Sequence, residues 1–151
     1  MPRLLVFAPC ERVIVEQGSG IISLISILQD ITVTVPSPPA TIESDAVAMT
    51  RWYILTIWRR NDNESEGVSF RQRIALNSPT GATFQEIFTD FTLSKATHRN
   101  IAAIEGFPVA AEGQYVLRLS LAPAGSERFD EIAEYPLLLK HASPTLTGST
   151  P

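Results

Sequence analysis

The chain has 151 residues, of which 44% are hydrophobic and 19% are charged, and its formal net charge at pH 7 is −4. This length allows one domain with a core that needs neither disulfides nor metals, and the single cysteine, Cys10, excludes an internal disulfide and favours a cytoplasmic setting. The acidic balance gives no electrostatic basis for binding nucleic acid or anionic membranes, and no apolar run approaches the ~20 residues of a membrane helix.

The N-terminal part alternates between short apolar segments and turn residues. Residues 21–28 are compatible with either a short buried helix or a buried strand, because both look alike at this length, although isoleucine favours the strand. Prolines at 36, 38 and 39 lack the donor that a sheet needs, so a loop is expected from Pro36 to Asp45. The remaining predicted elements are strands at 3–9 and 31–35, a segment at 12–16 that either continues the first strand or pairs with it, and a turn at 17–20.

The segment from Met49 to Arg60 is apolar on both faces of a predicted strand. Trp52, Ile54 and Trp58 share one face, and Tyr53, Leu55 and Ile57 the other. A strand that is apolar on both faces is unusual in a small sandwich. We therefore expect Trp52 and Trp58 to pack under a loop or against another subunit, and Trp52, Ile54 and Trp58 are the predicted interface or ligand platform.

The rest of the chain continues the two-residue period. Tyr115, Leu117, Leu119 and Leu121 share one face, which predicts a core strand. The other predicted elements are a polar hairpin tip at 61–67, strands at 68–77, 83–93, 101–107 and 129–139, and turns at 78–81 and 123–126. Together they predict an all-β fold, an antiparallel sandwich of about eight to ten short strands, immunoglobulin-like or jelly-roll-like. One domain is expected over 1–141, followed by a disordered Ser/Thr/Pro-rich tail at 142–151.

No segment has a catalytic signature. Gly18-Ser19-Gly20 lacks the strand–turn–helix context of a nucleophile elbow and reads as a hairpin turn. His98 falls in a predicted polar turn, and His141 borders the tail. Cys10 is expected to be a buried small hydrophobe rather than a reactive thiolate. The chain is therefore predicted not to be an enzyme, with no catalytic residue and no cofactor.

The segment from Asn61 to Glu66 is the one candidate metal loop. Its oxygen-bearing side chains suit a hard cation such as calcium, but their spacing is not that of an EF-hand. A sandwich calcium site would need a second acidic loop, for which Glu43 and Asp45 are the available residues. A solvated hairpin tip is the favoured interpretation, so no metal residue is assigned, and cation binding by residues 61–66 is left open.

Two resemblances follow from the turns and strand entries. The elements are Cys10-Glu11 with Val13, Gly20, Ser23-Leu24-Ile25 leading to Ile31, Asn77-Ser78-Pro79-Thr80-Gly81, Phe107-Pro108 and Gly113-Gln114-Tyr115. With these elements the chain resembles a bacterial family of small, uncharacterised β-sandwich proteins that is classed as a domain of unknown function. That resemblance implies a fold and brings no activity with it. Gly113-Gln114-Tyr115 also resembles the tyrosine corner of immunoglobulin-like domains, which implies a hydroxyl that ties a strand to a loop.

The expected function is binding rather than catalysis. We expect a cytoplasmic accessory or structural module that binds another protein or itself, with neither nucleic acid nor membrane as partner. The alternative is a domain that binds a small ligand or a carbohydrate, with or without calcium, through the tryptophans or the acidic loops.

Overall fold

The fold is seen in a computed structural model, which describes residues 1–35, 42 and 45–143; these residues form nine β-strands and no helix. No helix in this described part of the chain is long and apolar enough to cross a membrane. The strands are β1 (Arg3–Val15), β2 (Ile22–Ile27), β3 (Asp30–Thr34), β4 (Val47–Arg59), β5 (Val68–Asn77), β6 (Thr83–Leu93), β7 (Thr97–Pro108), β8 (Gly113–Pro123) and β9 (Asp130–Ala142).

The strands form two packed sheets, which confirms the predicted β-sandwich. Sheet A has the order β2-β1-β4-β7, and sheet B has the order β3-β9-β8-β5-β6. The pairing departs from the prediction at one place, where β3 runs parallel to β9 with Asp30 in register with Leu138. Every other neighbouring pair of described strands is antiparallel.

The core lies between the two sheets and is built from the alternating positions of each strand. The prediction that one face of β8 lies in the core is confirmed. Leu117, Leu119 and Leu121 are buried, and so is Tyr115. They pack with the inward residues of β4, β5, β6, β7 and β9 into one hydrophobic cluster. Because alternate side chains of each strand are buried between the sheets, the side chains between them lie on the outside of the sandwich.

Several predicted boundaries differ from the observed ones. Residues 22–27 form a strand and not a helix, and the segment predicted at 12–16 continues the strand predicted at 3–9 to form β1. The prediction that His98 lies in a turn is wrong, because β7 begins at Thr97 and includes it. Ala142 belongs to β9, while most of the predicted loop and tail (residues 36–41, 43–44 and 144–151) lies outside the described residues.

Gly106 marks an irregularity between β4 and β7. Its φ of +81° lies in the left-handed region, and a Cβ at this position would be 2.4 Å from Val47 Cγ1. The strand register shifts opposite it, between Ala48 and Arg51, and the Gly106 carbonyl accepts a hydrogen bond from Trp52 Nε1 at 2.9 Å. Only glycine meets both the torsion and the close approach, and the result is a fixed position for Trp52.

Candidate interaction surface

The residues predicted as an interface or ligand platform lie inside the sandwich. Trp52, Ile54 and Trp58 point between the sheets and are 3%, 1% and 0% exposed. The indole of Trp52 donates to Gly106, and Trp58 Nε1 donates to Gln72 Oε1 at 2.8 Å. With their rings packed and their polar atoms satisfied, these three side chains offer almost no surface to a partner or a ligand.

The other parity of β4 lies on the outer face of sheet A. Residues directly opposite each other in neighbouring strands share a face, so the pairing gives this face in rows across β1, β4 and β7. The rows are Arg3–Arg59–Thr97, Val6–Ile57–Arg99, Ala8–Leu55–Ile101 and Cys10–Tyr53–Ala103. These four rows are mostly apolar, and their arginines lie at the end where β4 finishes. At the start of β4, Arg51 lies opposite Glu105 and forms an ion pair with it.

The hairpin formed by β1 and β2 folds back over this outer face. β1 pairs with β4 only as far as Cys10, which is opposite Tyr53. If β1 continued straight beyond Cys10, the hairpin would extend past the start of β4. Instead Arg99 Nη1 donates to the Gly20 carbonyl in the hairpin turn at 3.3 Å. Arg99 is paired with Ile57, which lies toward the opposite end of β4. The turn therefore sits above Ile57, on the outside of the sheet.

The hairpin bends at Ser26, and the residues beneath it are buried. Ser26 is level with Glu11 in the register of the hairpin, and its φ of +53° is the one left-handed value at a non-glycine residue in the described chain. Such a torsion is disfavoured for a residue with a Cβ and redirects the strand. Cys10, Ala8 and Leu55 are buried although they point outward from sheet A, which is the burial expected beneath a folded-back hairpin.

The free side of the hairpin is rich in exposed isoleucine. Ile22 borders a cleft together with Ile57. Ile22 and the side chains on the same side of the hairpin therefore face sheet A, and the side chains on the opposite side face solvent. We call this solvent side the hairpin face; its residues are Arg12, Ile14, Glu16, Ile21, Ser23 and Ile25. The isoleucines at 14, 21 and 25 are 50%, 62% and 40% exposed. Ile27 is also exposed, but it lies beyond the Ser26 bend, opposite Cys10. Three neighbouring exposed isoleucines on one hairpin are an apolar patch rather than scattered surface residues.

The outer face of sheet B is chemically different, because charged pairs cross its strands. Arg71 makes a two-pronged hydrogen bond to Asp90, at 2.7 and 2.9 Å, and Arg73 pairs with Glu86. Further pairs are Arg118 with Glu131 and Glu134, and Lys140 with Asp30. The hydrogen bonds from Arg71 lower the pKa of Asp90. Phe84 and Phe88 are also exposed on this face, but they lie among charged pairs. The hairpin face carries more adjoining apolar side chains and fewer charges, so it is the surface that favours contact with protein.

In the candidate metal loop at residues 61–66, Glu64 and Glu66 contact other residues of the chain. Glu64 accepts a hydrogen bond from the Asn61 backbone N–H at 3.1 Å, and Glu66 pairs with Arg60 at 2.9 Å. Within residues 1–35, 42 and 45–143, no group of three or more His, Cys, Asp or Glu side chains is arranged to hold a metal ion. Of the two residues suggested as partners of this loop, Asp45 is exposed and Glu43 lies outside those ranges.

The remaining reactive side chains are held in structural contacts. His98 stacks on Phe91 with ring centroids 4.8 Å apart, and its Nε2 is 2.9 Å from Asn100 Oδ1. His141 Nε2 is 2.7 Å from the Val109 carbonyl oxygen. Burial raises the pKa of Cys10, which opposes formation of a thiolate. Neither histidine ring forms a hydrogen bond with a serine, threonine or cysteine side chain of the described residues.

The residue at the predicted tyrosine corner makes the contact that its pattern implies. Tyr115 is buried, and its hydroxyl donates to the Ala111 carbonyl at 3.0 Å. Burial raises the pKa of this hydroxyl, so it remains a donor at neutral pH. The bond fixes the β7–β8 loop against the start of β8.

The hairpin face was not found from the sequence. The exposed isoleucines lie in the segment that remained ambiguous between helix and strand, where an apolar run is ordinarily taken as buried. The available signal was the alternation of Ile21, Ser23, Ile25 and Ile27 against Ile22 and Leu24, which is apolar on both parities as in β4. In both strands this two-sided pattern reflects packing of the hairpin on sheet A.

Comparisons with protein-family models and with curated proteins found no family and no relative that matches this chain.

Proposed function

We propose that this protein is a self-associating β-sandwich, and that two copies pack through their hairpin faces. The observation that carries the proposal is the patch of three exposed isoleucines, Ile14, Ile21 and Ile25, on a β-hairpin, opposite a face whose strands are crossed by ion pairs. Association would bury apolar side chains that are left in water in the single copy, which is the main driving force for protein contacts.

Charge favours a second copy over an unrelated partner. Arg12 and Glu16 lie on the hairpin face at equal distances on either side of Ile14. In a two-fold arrangement with antiparallel hairpins centred near Ile14, Arg12 of each copy would meet Glu16 of the other. Closed two-fold contacts require this kind of self-complementary surface. The area is small, so we expect a dimer at the weak end of protein association.

The test is light scattering coupled to size exclusion, with sedimentation across a wide concentration range. Wild type should form a dimer, and Ile14→Glu or Ile25→Glu should give a folded monomer. Phe88→Glu is the matched control, because Phe88 is 53% exposed on the outer face of sheet B. It should leave the dimer intact.

A charge exchange tests the geometry. Arg12→Glu should weaken the dimer, since two carboxylates then meet, and the double variant Arg12→Glu/Glu16→Arg should restore it. A wild type that stays monomeric at millimolar concentration would refute self-association. Equal weakening by Phe88→Glu would place the contact on the wrong face.

A further inference from the structure

Three arginines meet at one corner of the outer face of sheet A, and none of them pairs with an acidic side chain of the described residues. Arg3 on β1 and Arg59 on β4 are directly opposite each other, and Arg99 on β7 lies diagonally from Arg59. All three are exposed. We call this group the arginine corner.

The arrangement is unfavourable by itself. Like charges directly opposite in a sheet destabilise it, and arginine remains charged at all ordinary pH values. Most other cationic side chains of the described strands pair with carboxylates. No carboxylate in the described part of the chain lies within salt-bridge distance of Arg3, Arg59 or Arg99. In a chain of net charge −4, this concentration of positive charge points to an anionic ligand.

A cleft for such a ligand lies beside the arginine corner. It has a volume of about 370 Å³ and lies between the hairpin turn and sheet A, bordered by Gly20, Ile22, Ile57, Thr97, His98 and Arg99. This volume is at the lower end of the range for small-molecule sites. Ile22 and Ile57 give the cleft an apolar wall, while Thr97 and Arg99 supply polar groups at the rim.

We propose that the arginine corner and this cleft bind a small dianionic molecule, of which a phosphate monoester with a compact apolar body is the favoured type. Guanidinium groups match the geometry of phosphate and carboxylate oxygens with paired hydrogen bonds. The anion lies between Arg59 and those Arg99 donors that are not bound to the Gly20 carbonyl. Its body enters the cleft against Ile22 and Ile57, and Arg3 adds a third positive charge. The small size of the cleft and the acidic net charge favour a small molecule over nucleic acid. This site is separate from the hairpin face.

The probes are phenyl phosphate, inorganic phosphate, succinate and a glutamate-rich peptide, each added at constant ionic strength and followed by calorimetry and thermal unfolding. Phenyl phosphate should bind most tightly and raise the unfolding temperature in proportion to occupancy. Arg59→Gln should weaken binding about tenfold, the expected effect of removing one charged hydrogen bond. Arg99→Gln should weaken binding at least as much, because it also removes the hydrogen bond to Gly20 at the border of the cleft. Arg128→Gln in the β8–β9 loop is the matched control and should leave binding unchanged.

The free protein provides a second measurement. If Arg59 is retained for a ligand and not for folding, Arg59→Gln without ligand should unfold at the same temperature as wild type or higher. Added salt should raise the unfolding temperature of wild type more than that of the variant, because salt screens the repulsion.

Several results would overturn the proposal. Absence of binding by phenyl phosphate, inorganic phosphate and succinate would do so, as would binding that survives the Arg59→Gln/Arg99→Gln double variant. Binding of succinate above phenyl phosphate would replace the phosphate with a dicarboxylate. Binding of the peptide alone would replace the small molecule with a protein partner. Dimerisation is measured separately, so failure of one proposal leaves the other standing.

Discussion

Trp58 of sheet A donates a hydrogen bond through its indole Nε1 to Gln72 Oε1 of sheet B, at 2.8 Å and inside the core. The same oxygen accepts from Thr56 Oγ1 at 2.8 Å and from Asn100 Nδ2 at 3.4 Å. Gln72 and Thr56 are buried, as is Asn100. One side-chain oxygen therefore satisfies polar groups of two strands in the opposite sheet, which fixes how the sheets align.

Replacing Gln72 by leucine should destabilise the protein strongly. The change keeps the side chain's approximate volume but leaves the Trp58 and Thr56 donors unpaired, at a cost of about 1–3 kcal/mol for each buried group. We expect a loss of about 2–6 kcal/mol in the free energy of unfolding, measured by urea denaturation. Gln114→Leu, at an exposed position on β8, is the control and should change it by less than about 0.5 kcal/mol. A stable Gln72→Leu variant would show that the network contributes little.

Strand alternation was enough to predict the sandwich and the inward parity of β8, because a two-residue period follows directly from burial of one face. For β4, the same alternation could not predict whether the face with Trp52 and Trp58 points into the core. Both of its faces are apolar, and the sequence alone does not reveal that one meets sheet B while the other meets a hairpin of the same chain. An interface was therefore predicted on the residues that form the core.

The fold-back of the hairpin has no clear sequence signal. Its bend lies at Ser26, where a positive φ would ordinarily be expected of glycine or asparagine. In the parallel pairing of β3 with β9, Asp30 lies opposite Leu138, and most of the chain separates these two residues in sequence. A pairing between such distant segments is determined by the whole fold rather than by the local sequence pattern. The arginine corner depends on the register of three strands and was missed for the same reason.

The Tyr115 hydroxyl should contribute measurably to stability. Tyr115→Phe removes the hydrogen bond to Ala111 and keeps the buried ring, so we expect a loss of about 1 kcal/mol. Tyr135→Phe is the control, because the Tyr135 hydroxyl makes no hydrogen bond with the described residues while burial also raises its pKa. Thermal and urea unfolding of both variants give the comparison. Equal effects would mean that the loss comes from the ring environment and not from the bond.

Cys10 should report opening of the hairpin. It is fully buried on the outer face of sheet A, so a thiol reagent should label native protein slowly, at a rate set by local opening. Ile22→Ala removes a contact beneath the hairpin, beside Ile57 in the cleft, and should speed labelling several-fold. Ile25→Ala truncates an isoleucine on the solvent side and should leave the rate unchanged, at protein concentrations where wild type is monomeric. Identical rates in both variants would indicate that labelling requires global unfolding.

The buried thiol also predicts how stability responds to alkaline pH. The pKa of Cys10 is raised by burial in the folded protein, so the unfolded chain releases this proton at a lower pH than the folded chain does. The stabilising contribution is complete below the unfolded pKa of about 8.5 and is lost as pH rises above it. Cys10→Ala removes this term, so its free energy of unfolding should fall less than that of wild type between about pH 8 and pH 10. Urea denaturation at several pH values measures both slopes; Tyr115 and Tyr135 titrate in both proteins and cancel in the difference. Parallel pH profiles would show that Cys10 ionises equally in the folded and unfolded states.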